Sequence, residues 1–172
     1  MARSLTSRPI DILYLAFFII HIPIVIFIDS FPLWPPALRM EWMKALRLYY
    51  IQTYKDFFFI DPPAWFGTYM WMELIYHLPL SLWAVPAIIR DDPKIPLHLL
   101  IYGCQTAVTT LTCISEYLSW PGYTSQEKLN LGYLYVPYLV LSVFMTVDMF
   151  RRLDRTLGLI SMRFGNAGKK KQ

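Results

Sequence analysis

The chain has 172 residues, of which 56% are hydrophobic, 17% aromatic and only 16% charged. This composition is too apolar and too poor in charge for an ordinary soluble domain, so we expect an integral membrane protein. The formal net charge of +4 comes from residues scattered at the edges of apolar segments and at the C-terminal end. It therefore gives no soluble basic face, and no nucleic-acid partner is expected.

Four apolar segments are long enough to cross a bilayer as helices. They cover residues 10–28, 64–89, 95–118 and 131–150. The sequence therefore predicts an all-α, four-helix transmembrane bundle, organised as one domain with a basic tail over residues 151–172. The first segment is interpreted as a retained span, because it is long for a signal peptide and no small-residue cleavage site follows it.

Between the first two spans, the segment 37–54 has no helix breaker, and apolar residues recur in it at helical spacing. Pro35 and Pro36 precede it, and proline is favoured at helix starts. We predict an amphipathic helix that lies at the lumenal interface or caps the bundle.

Two acids stand where a bilayer would bury them. Asp29 ends the first span and Glu73 lies inside the second. An ionisable side chain in hydrocarbon costs on the order of 2.5–3.5 kcal/mol, so a partner side chain, a proton or a ligand must offset it. His77 lies four residues after Glu73 and is expected on the same helix face.

The third and fourth spans also carry polar side chains. Gln105, Thr110 and Glu116 lie on the third, and Tyr135 and Tyr138 flank a proline on the fourth. Threonines in spans often hydrogen-bond neighbouring helices or their own backbone, so a structural role is the competing interpretation for Thr110. No Cys or His spacing typical of zinc occurs, and no metal or other cofactor is expected.

The distribution of Lys and Arg predicts the orientation. With four spans, eleven of these residues fall on the side of the two termini and five on the other, which places both termini in the cytosol. Lys169 and Lys170 then belong to a cytosolic dilysine signal of the KKxx type, an address for the endoplasmic reticulum. The alternative is a basic tail that touches anionic lipid.

Together these residues resemble the EXPERA-domain family, which contains the sigma-2 receptor, the emopamil-binding sterol isomerase and the fungal efficient mitochondria targeting-associated proteins. The resemblance follows the chain in order from residue 10 to 150. Its motifs are His21-Ile22-Pro23-Ile24 with Asp29, Lys55-Asp56, Pro62-Pro63-Ala64-Trp65-Phe66, Glu73-Leu74 with Leu78-Pro79, Thr109-Thr110 and Tyr135-Val136-Pro137-Tyr138.

The resemblance implies a dimeric protein of the endoplasmic reticulum, whose bundle holds a pocket for sterols and amphiphilic amines. It implies that Asp29 pairs with a ligand amine, that Glu73 hydrogen-bonds Asp29, and that Asp56 supports the pocket. Two carboxyls that share one proton are less costly to bury than two that both ionise. The predicted ligand-binding residues are Asp29, Asp56, Glu73, His77, Gln105, Thr110, Tyr135 and Tyr138.

Three functions follow as alternatives. The leading one is a non-enzymatic binder of sterols and amines with a role in lipid homeostasis. The second is a sterol Δ8–Δ7 isomerase that uses Glu73, His77 and Glu116. However, the emopamil-binding sterol isomerase has a His followed by a Glu on its second span, whereas this chain has Glu73 followed by His77. The third is a factor that handles mitochondrial precursor proteins at the endoplasmic reticulum.

Overall fold

The computed structural model describes residues 3–169, with side chains described for residues 3–162. The described residues form helices joined by turns. The helices are α1 (Pro9–Ile24), α2 (Glu41–Tyr54), α3 (Ala64–Met72), α4 (Leu78–Ile89), α5 (Ile95–Ser119) and α6 (Ser125–Lys169). Two π-helical turns, Val25–Asp29 and Glu73–His77, continue α1 and join α3 to α4. Single 3₁₀ turns occur at Leu5–Ser7, Phe31–Leu33, Pro36–Leu38 and Phe57–Phe59.

Within the described residues, four helical segments are long and apolar enough to cross a membrane. They are Pro9–Asp29, Ala64–Ile89, Ile95–Ser119 and Ser125–Met162. The predicted all-α fold with four spans is therefore confirmed. The first three spans agree with the sequence prediction to within a residue at each end.

The fourth helix is longer than predicted. The predicted span covers 131–150, and α6 includes it and continues without a break to Lys169, so the described part of the predicted basic tail is helical. Arg151, Arg152 and Arg155 mark the end of the apolar stretch, yet arginine is a good helix former and does not end a helix. Lys170 of the predicted dilysine signal lies outside the described residues, as does the side chain of Lys169.

The helix between the first two spans starts later than predicted. It begins at Glu41 instead of Ala37. Arg39 explains the difference, because its guanidinium donates hydrogen bonds to the carbonyl oxygens of Pro32 and Trp34, both at 2.8 Å. These bonds hold the preceding residues in a loop, and the helix starts only beyond them.

The most extensive helix contact in the bundle joins α5 and α6, and α1 packs mainly against α4. The turn between α5 and α6 contains Gly122 with a φ of 79°, a conformation that glycine adopts without strain. Gly103 on α5 lies so close to α6 that a Cβ there would be 2.7 Å from the Thr146 hydroxyl and 3.0 Å from the Ser142 carbonyl oxygen. The two helices are therefore in close contact at this point.

Buried charges join the helices at one end of the bundle. Asp11 on α1 accepts hydrogen bonds from Arg8 (2.5 Å) and from Arg152 on α6 (2.6 Å). Arg152 also lies 2.8 Å from Asp148, which accepts a hydrogen bond from the Tyr14 hydroxyl at 2.9 Å. Each of these acids therefore has at least two donors.

The same network reaches the turn after α4. Arg8 donates to the carbonyl oxygen of Ile88 at 3.0 Å, and Arg3 forms a salt bridge of 3.0 Å with Asp91. The Arg3 guanidinium lowers the pKa of Asp91 to about 2. We call this set of residues the paired end: Arg3, Arg8, Asp11, Tyr14, Asp91, Asp148 and Arg152.

Candidate functional site

A cavity of about 420 Å³ lies inside the bundle, with walls from α1, α2, α3, α5 and α6. Its volume falls within the usual range for small-molecule sites, roughly 300–1,000 Å³. Its walls are mostly apolar and aromatic. It is lined by His21, Ile24, Ile28, Asp29, Tyr50, Tyr54, Phe59, Phe66, Tyr69, Met70, Met72, Glu73, His77, Thr106, Thr109, Thr110, Cys113, Leu134, Tyr135 and Tyr138.

The two π-helical turns bring acids into this cavity. Asp29 ends the turn Val25–Asp29 and Glu73 begins the turn Glu73–His77. Each turn is closed by a bond over five residues, from Ser30 N–H to the Val25 carbonyl and from Leu78 N–H to the Glu73 carbonyl. The two turns are in contact with each other. Single π turns inside helices frequently occur at functional sites, because they change which side chains face inward.

Neither carboxyl group accepts a hydrogen bond within the described part of the chain. Asp29 and Glu73 both line the cavity. Among the described side chains and backbone amides, no donor forms a hydrogen bond with either carboxyl group. Two carboxylates close together in a low dielectric repel each other and favour a shared proton or a cationic ligand. The hydrogen bond between Glu73 and Asp29 stays a prediction.

Asp56 is fully buried and lies behind the cavity wall. Its carboxylate accepts hydrogen bonds from the hydroxyls of Tyr50 and Tyr135, both at 2.8 Å, and from the backbone N–H of Phe58 at 3.1 Å. Burial raises the pKa of Asp56, although the two tyrosine hydrogen bonds act in the opposite direction. Tyr50 and Tyr135 line the cavity themselves, so Asp56 fixes the position of two wall residues.

The other predicted residues divide into two groups. His77, Thr110 and Tyr138 line the cavity, but Gln105 and Glu116 do not. The Gln105 amide instead contacts the sulfur of Met72, which is itself a wall residue. Glu116 lies nearer the far end of α5, about two turns beyond Thr110. It is therefore separated from Glu73 and His77, the two groups with which it would have to act in an isomerase.

His21 is a wall residue to which the sequence analysis assigned no role. Its side chain is buried, and its Nδ1 contacts the hydroxyl of Tyr138, which is also a wall residue. The sequence contained the necessary signal, because a histidine inside an otherwise apolar span is costly and commonly functional. Tyr50, on the helix outside the membrane spans, carried no comparable signal.

The fold defines a multi-pass membrane protein whose four spanning helices enclose a cavity lined by two acidic side chains. Comparison with known proteins agrees with this class. The chain belongs to the EXPERA (EXPanded EBP superfamily) family, whose sequence profile matches residues 42–149.

Relatives of known name cover most of the chain. Human sigma intracellular receptor 2 is 29% identical over an alignment of 163 positions, which covers 88% of this chain and 93% of the receptor. Efficient mitochondria targeting-associated protein 19 of Schizosaccharomyces pombe is 28% identical over 155 residues, 88% of this chain and 80% of that protein. The protein of the same name in Saccharomyces cerevisiae is 32% identical over 108 residues, 59% of this chain and 67% of that protein. The chain is thus a sigma-2-receptor-like member of the family.

Proposed function

We propose that this protein binds sterols and amphiphilic amines in the cavity and acts in sterol or lipid homeostasis. The observation that carries the proposal is the presence, in a mostly apolar and aromatic cavity, of two carboxyl groups that have no hydrogen-bond donor among the described residues. An apolar ring system fits the walls, and an amine forms a charge-assisted hydrogen bond with Asp29 or Glu73. The relatives named sigma intracellular receptor 2 support the assignment, since their name describes a receptor.

The decisive experiment identifies the lipids that the purified protein retains, by extraction and mass spectrometry. We expect a sterol in the wild-type protein and its loss in Thr110→Phe, which fills the cavity. Val108→Phe is the matched control, because Val108 is 63% exposed and lies on the same helix outside the cavity. Equal retention by Thr110→Phe and Val108→Phe, or no sterol in the wild type, would contradict the proposal.

Sterol isomerase activity is the weaker alternative. Glu73 and His77 both line the cavity, which favours proton transfer there, but the third predicted group, Glu116, does not. Conversion of an 8-ene sterol to its 7-ene isomer by the purified protein, followed by chromatography, tests this. Turnover that falls about 10²–10⁴-fold in His77→Gln would establish catalysis, since this is the usual contribution of a positioned acid or base.

A role in handling mitochondrial precursor proteins is the second alternative. It is supported by the name of the fungal relatives, one of which matches 88% of this chain. Expression of this chain in a yeast strain that lacks its own relative tests the role. Disappearance of accumulated precursors, with the same result for Asp29→Asn, would favour precursor handling and make the cavity secondary.

Location and arrangement in the membrane are part of the same proposal. The charge asymmetry supports cytosolic termini, which places α2 on the lumenal side. The exposed side chains of Trp42, Leu46 and Tyr49 on α2 support contact with the bilayer interface.

Residence in the endoplasmic reticulum is supported by the dilysine sequence, and the homodimer by the family resemblance. Imaging of a Lys169→Ser, Lys170→Ser variant and cross-linking in membranes test these two points.

A further inference from the structure

Two polar residues of α5, Gln105 and Glu116, lie in a membrane span but outside the cavity lining. Polar side chains in a span are costly unless they have a partner or a function. Glu116 takes part in none of the salt bridges that the described residues form. Neither the cavity nor an ion pair therefore accounts for its carboxylate.

Glu116 belongs to a polar stripe along one flank of α5. An α-helix turns by about 100° per residue, so residues spaced by four, three and four positions share a flank. The stripe consists of Gln105, Thr109, Thr112 and Glu116. All four are half-buried, whereas Val108 on the adjoining flank is 63% exposed. The stripe thus lies at the border between the inside of the bundle and its outer surface.

The polar stripe faces α3. The Tyr69 hydroxyl donates a hydrogen bond to the Thr112 oxygen at 3.4 Å, and the Gln105 amide contacts the sulfur of Met72. Tyr69 and Met72 share a flank of α3 with Trp65, whose ring centroid lies 5.1 Å from that of Tyr69. The residues of this flank are also half-buried. We call the space between the two flanks the α3–α5 seam.

The α3–α5 seam leads from the cavity wall to one surface of the membrane. Tyr69 and Thr109 line the cavity. Trp65 lies four residues before Tyr69 on α3. Glu116 lies four residues after Thr112 on α5. Because consecutive spans cross the membrane in opposite directions, both are displaced by about 6 Å towards the same end of the bundle, where α3 begins and α5 ends.

The seam is also the more loosely packed side of α5. The backbone of α5 packs most extensively against α6 and also packs against α4, but it has no contact of comparable extent with α3. Side chains change rotamer within nanoseconds, whereas helices move within microseconds to milliseconds. Met72 adapts readily, because methionine has three rotatable bonds. A contact made mainly by side chains therefore opens without displacement of a helix.

The two flanks offer complementary groups to an ammonium ion. The hydroxyls of Thr109 and Thr112 donate to carbonyl oxygens of α5 at 3.1 and 2.9 Å, so their oxygens remain available as acceptors. The Glu116 carboxylate is an acceptor too. On the other flank, Trp65 and Tyr69 provide aromatic faces, which attract cations. An amphiphilic amine can keep its charged group among these side chains while its apolar body stays among lipid chains.

We propose that the α3–α5 seam is the passage by which the charged group of an amphiphilic amine reaches the cavity, and that Glu116 binds this group first. The amine then moves past the threonine oxygens and the aromatic rings to Asp29 and Glu73. This inference rests on the proposed function, because it assumes that the cavity binds amines. It adds the route and the residue that controls the rate.

The test measures the association and dissociation rates of tritiated imipramine, an apolar tricycle with one basic amine, on the purified full-length protein. Glu116 contacts the amine only in transit, so its loss raises a barrier that entry and exit share. We expect Glu116→Gln to slow both rates about tenfold, the difference between a charge-assisted and a neutral hydrogen bond. The Kd should stay within about twofold of wild type. Glu116→Asp keeps the charge and should retain both rates within about threefold.

Glu41→Gln is the matched control, because it makes the same change of charge on α2, where Glu41 pairs with Lys44 outside the seam. It should leave both rates unchanged. Wild-type rates in Glu116→Gln, or equal slowing in Glu41→Gln, would overturn the passage and leave amine binding in the cavity intact. A lower affinity without slower dissociation would also overturn it, since Glu116 would then belong to the binding site itself. Failure of the wild type to bind imipramine would overturn the passage together with the proposed amine binding.

Discussion

The paired end and the cavity both place carboxyl groups inside the same bundle, but their surroundings are opposite. At the paired end, Asp11 is held by two arginines and Asp148 by an arginine and a tyrosine. In the cavity, Asp29 and Glu73 have no donor among the described residues. A buried acid whose hydrogen bonds are complete holds helices together, whereas one whose hydrogen bonds are open is available to a ligand.

The largest expected effect comes from the paired end. Asp11→Asn removes the nearer counter-charge of the buried Arg8 guanidinium and leaves only Asp91, at 3.5 Å. Removal of one partner of a buried ion pair costs about 3–5 kcal/mol. We expect a large fall in the midpoint of thermal unfolding in detergent. Asp29→Asn, the same chemical change in the cavity, should leave the midpoint unchanged or raise it. Equal destabilisation by both variants would remove the distinction between the two regions.

The next effect concerns binding. Asp29→Asn removes a charge-assisted hydrogen bond to a ligand amine, worth about 1.5–3 kcal/mol, so affinity for a cationic amphiphile should fall about 10–100-fold. Radioligand binding measures this. Glu116→Gln removes a carboxylate from a span but outside the cavity and should not change the affinity. Unchanged affinity in Asp29→Asn would refute the assignment of the acid.

A smaller effect is expected at the contact of α5 and α6, between the two regions. Gly103→Ala forces a Cβ against the backbone of α6, and such overpacking costs about 1–3 kcal/mol. Gly67→Ala is the matched control, because no atom lies within 4 Å of the added carbon. It should stabilise helix α3 by up to about 1 kcal/mol. Thermal unfolding of the two variants should therefore move in opposite directions.

The smallest effect is a pH dependence at the paired end. The pKa of Asp91 is lowered from 3.8 to about 2, chiefly by hydrogen bonds from Arg3, so its stabilising contribution is present above about pH 3.8 and is lost as the pH falls towards 2. The pair is partly exposed and contributes less than about 1 kcal/mol. Asparagine tolerates the positive φ of 55° at this position. The Asp91→Asn variant should therefore unfold at a slightly lower temperature than the wild type at pH 6. The difference from wild type should vanish near pH 2.

Much of the candidate site was predictable from single residues. Asp29, Glu73 and His77 stand out because polar groups in apolar spans are costly, and all three line the cavity. Gln105 gives the same signal but is not part of the lining. Its amide contacts Met72, which is. Residue type alone does not show in which direction a side chain points. That direction depends on how the helix is rotated about its axis, and a π turn changes the rotation. Asp56 and Tyr50 lie outside the spans, so hydropathy gave no reason to expect their contact with the cavity wall.

By itself, the sequence determined the class of protein, the helical composition and the approximate limits of the spans, because hydropathy and helical length are local properties that the bilayer selects. Only the tertiary structure decided which acids are paired and which are open, where α2 begins, and that His21 lies against Tyr138 in the cavity wall. These features depend on contacts between residues far apart in the chain, such as Asp11 with Arg152 and His21 with Tyr138. No local pattern specifies such contacts, because they arise from how the helices rotate and pack against one another.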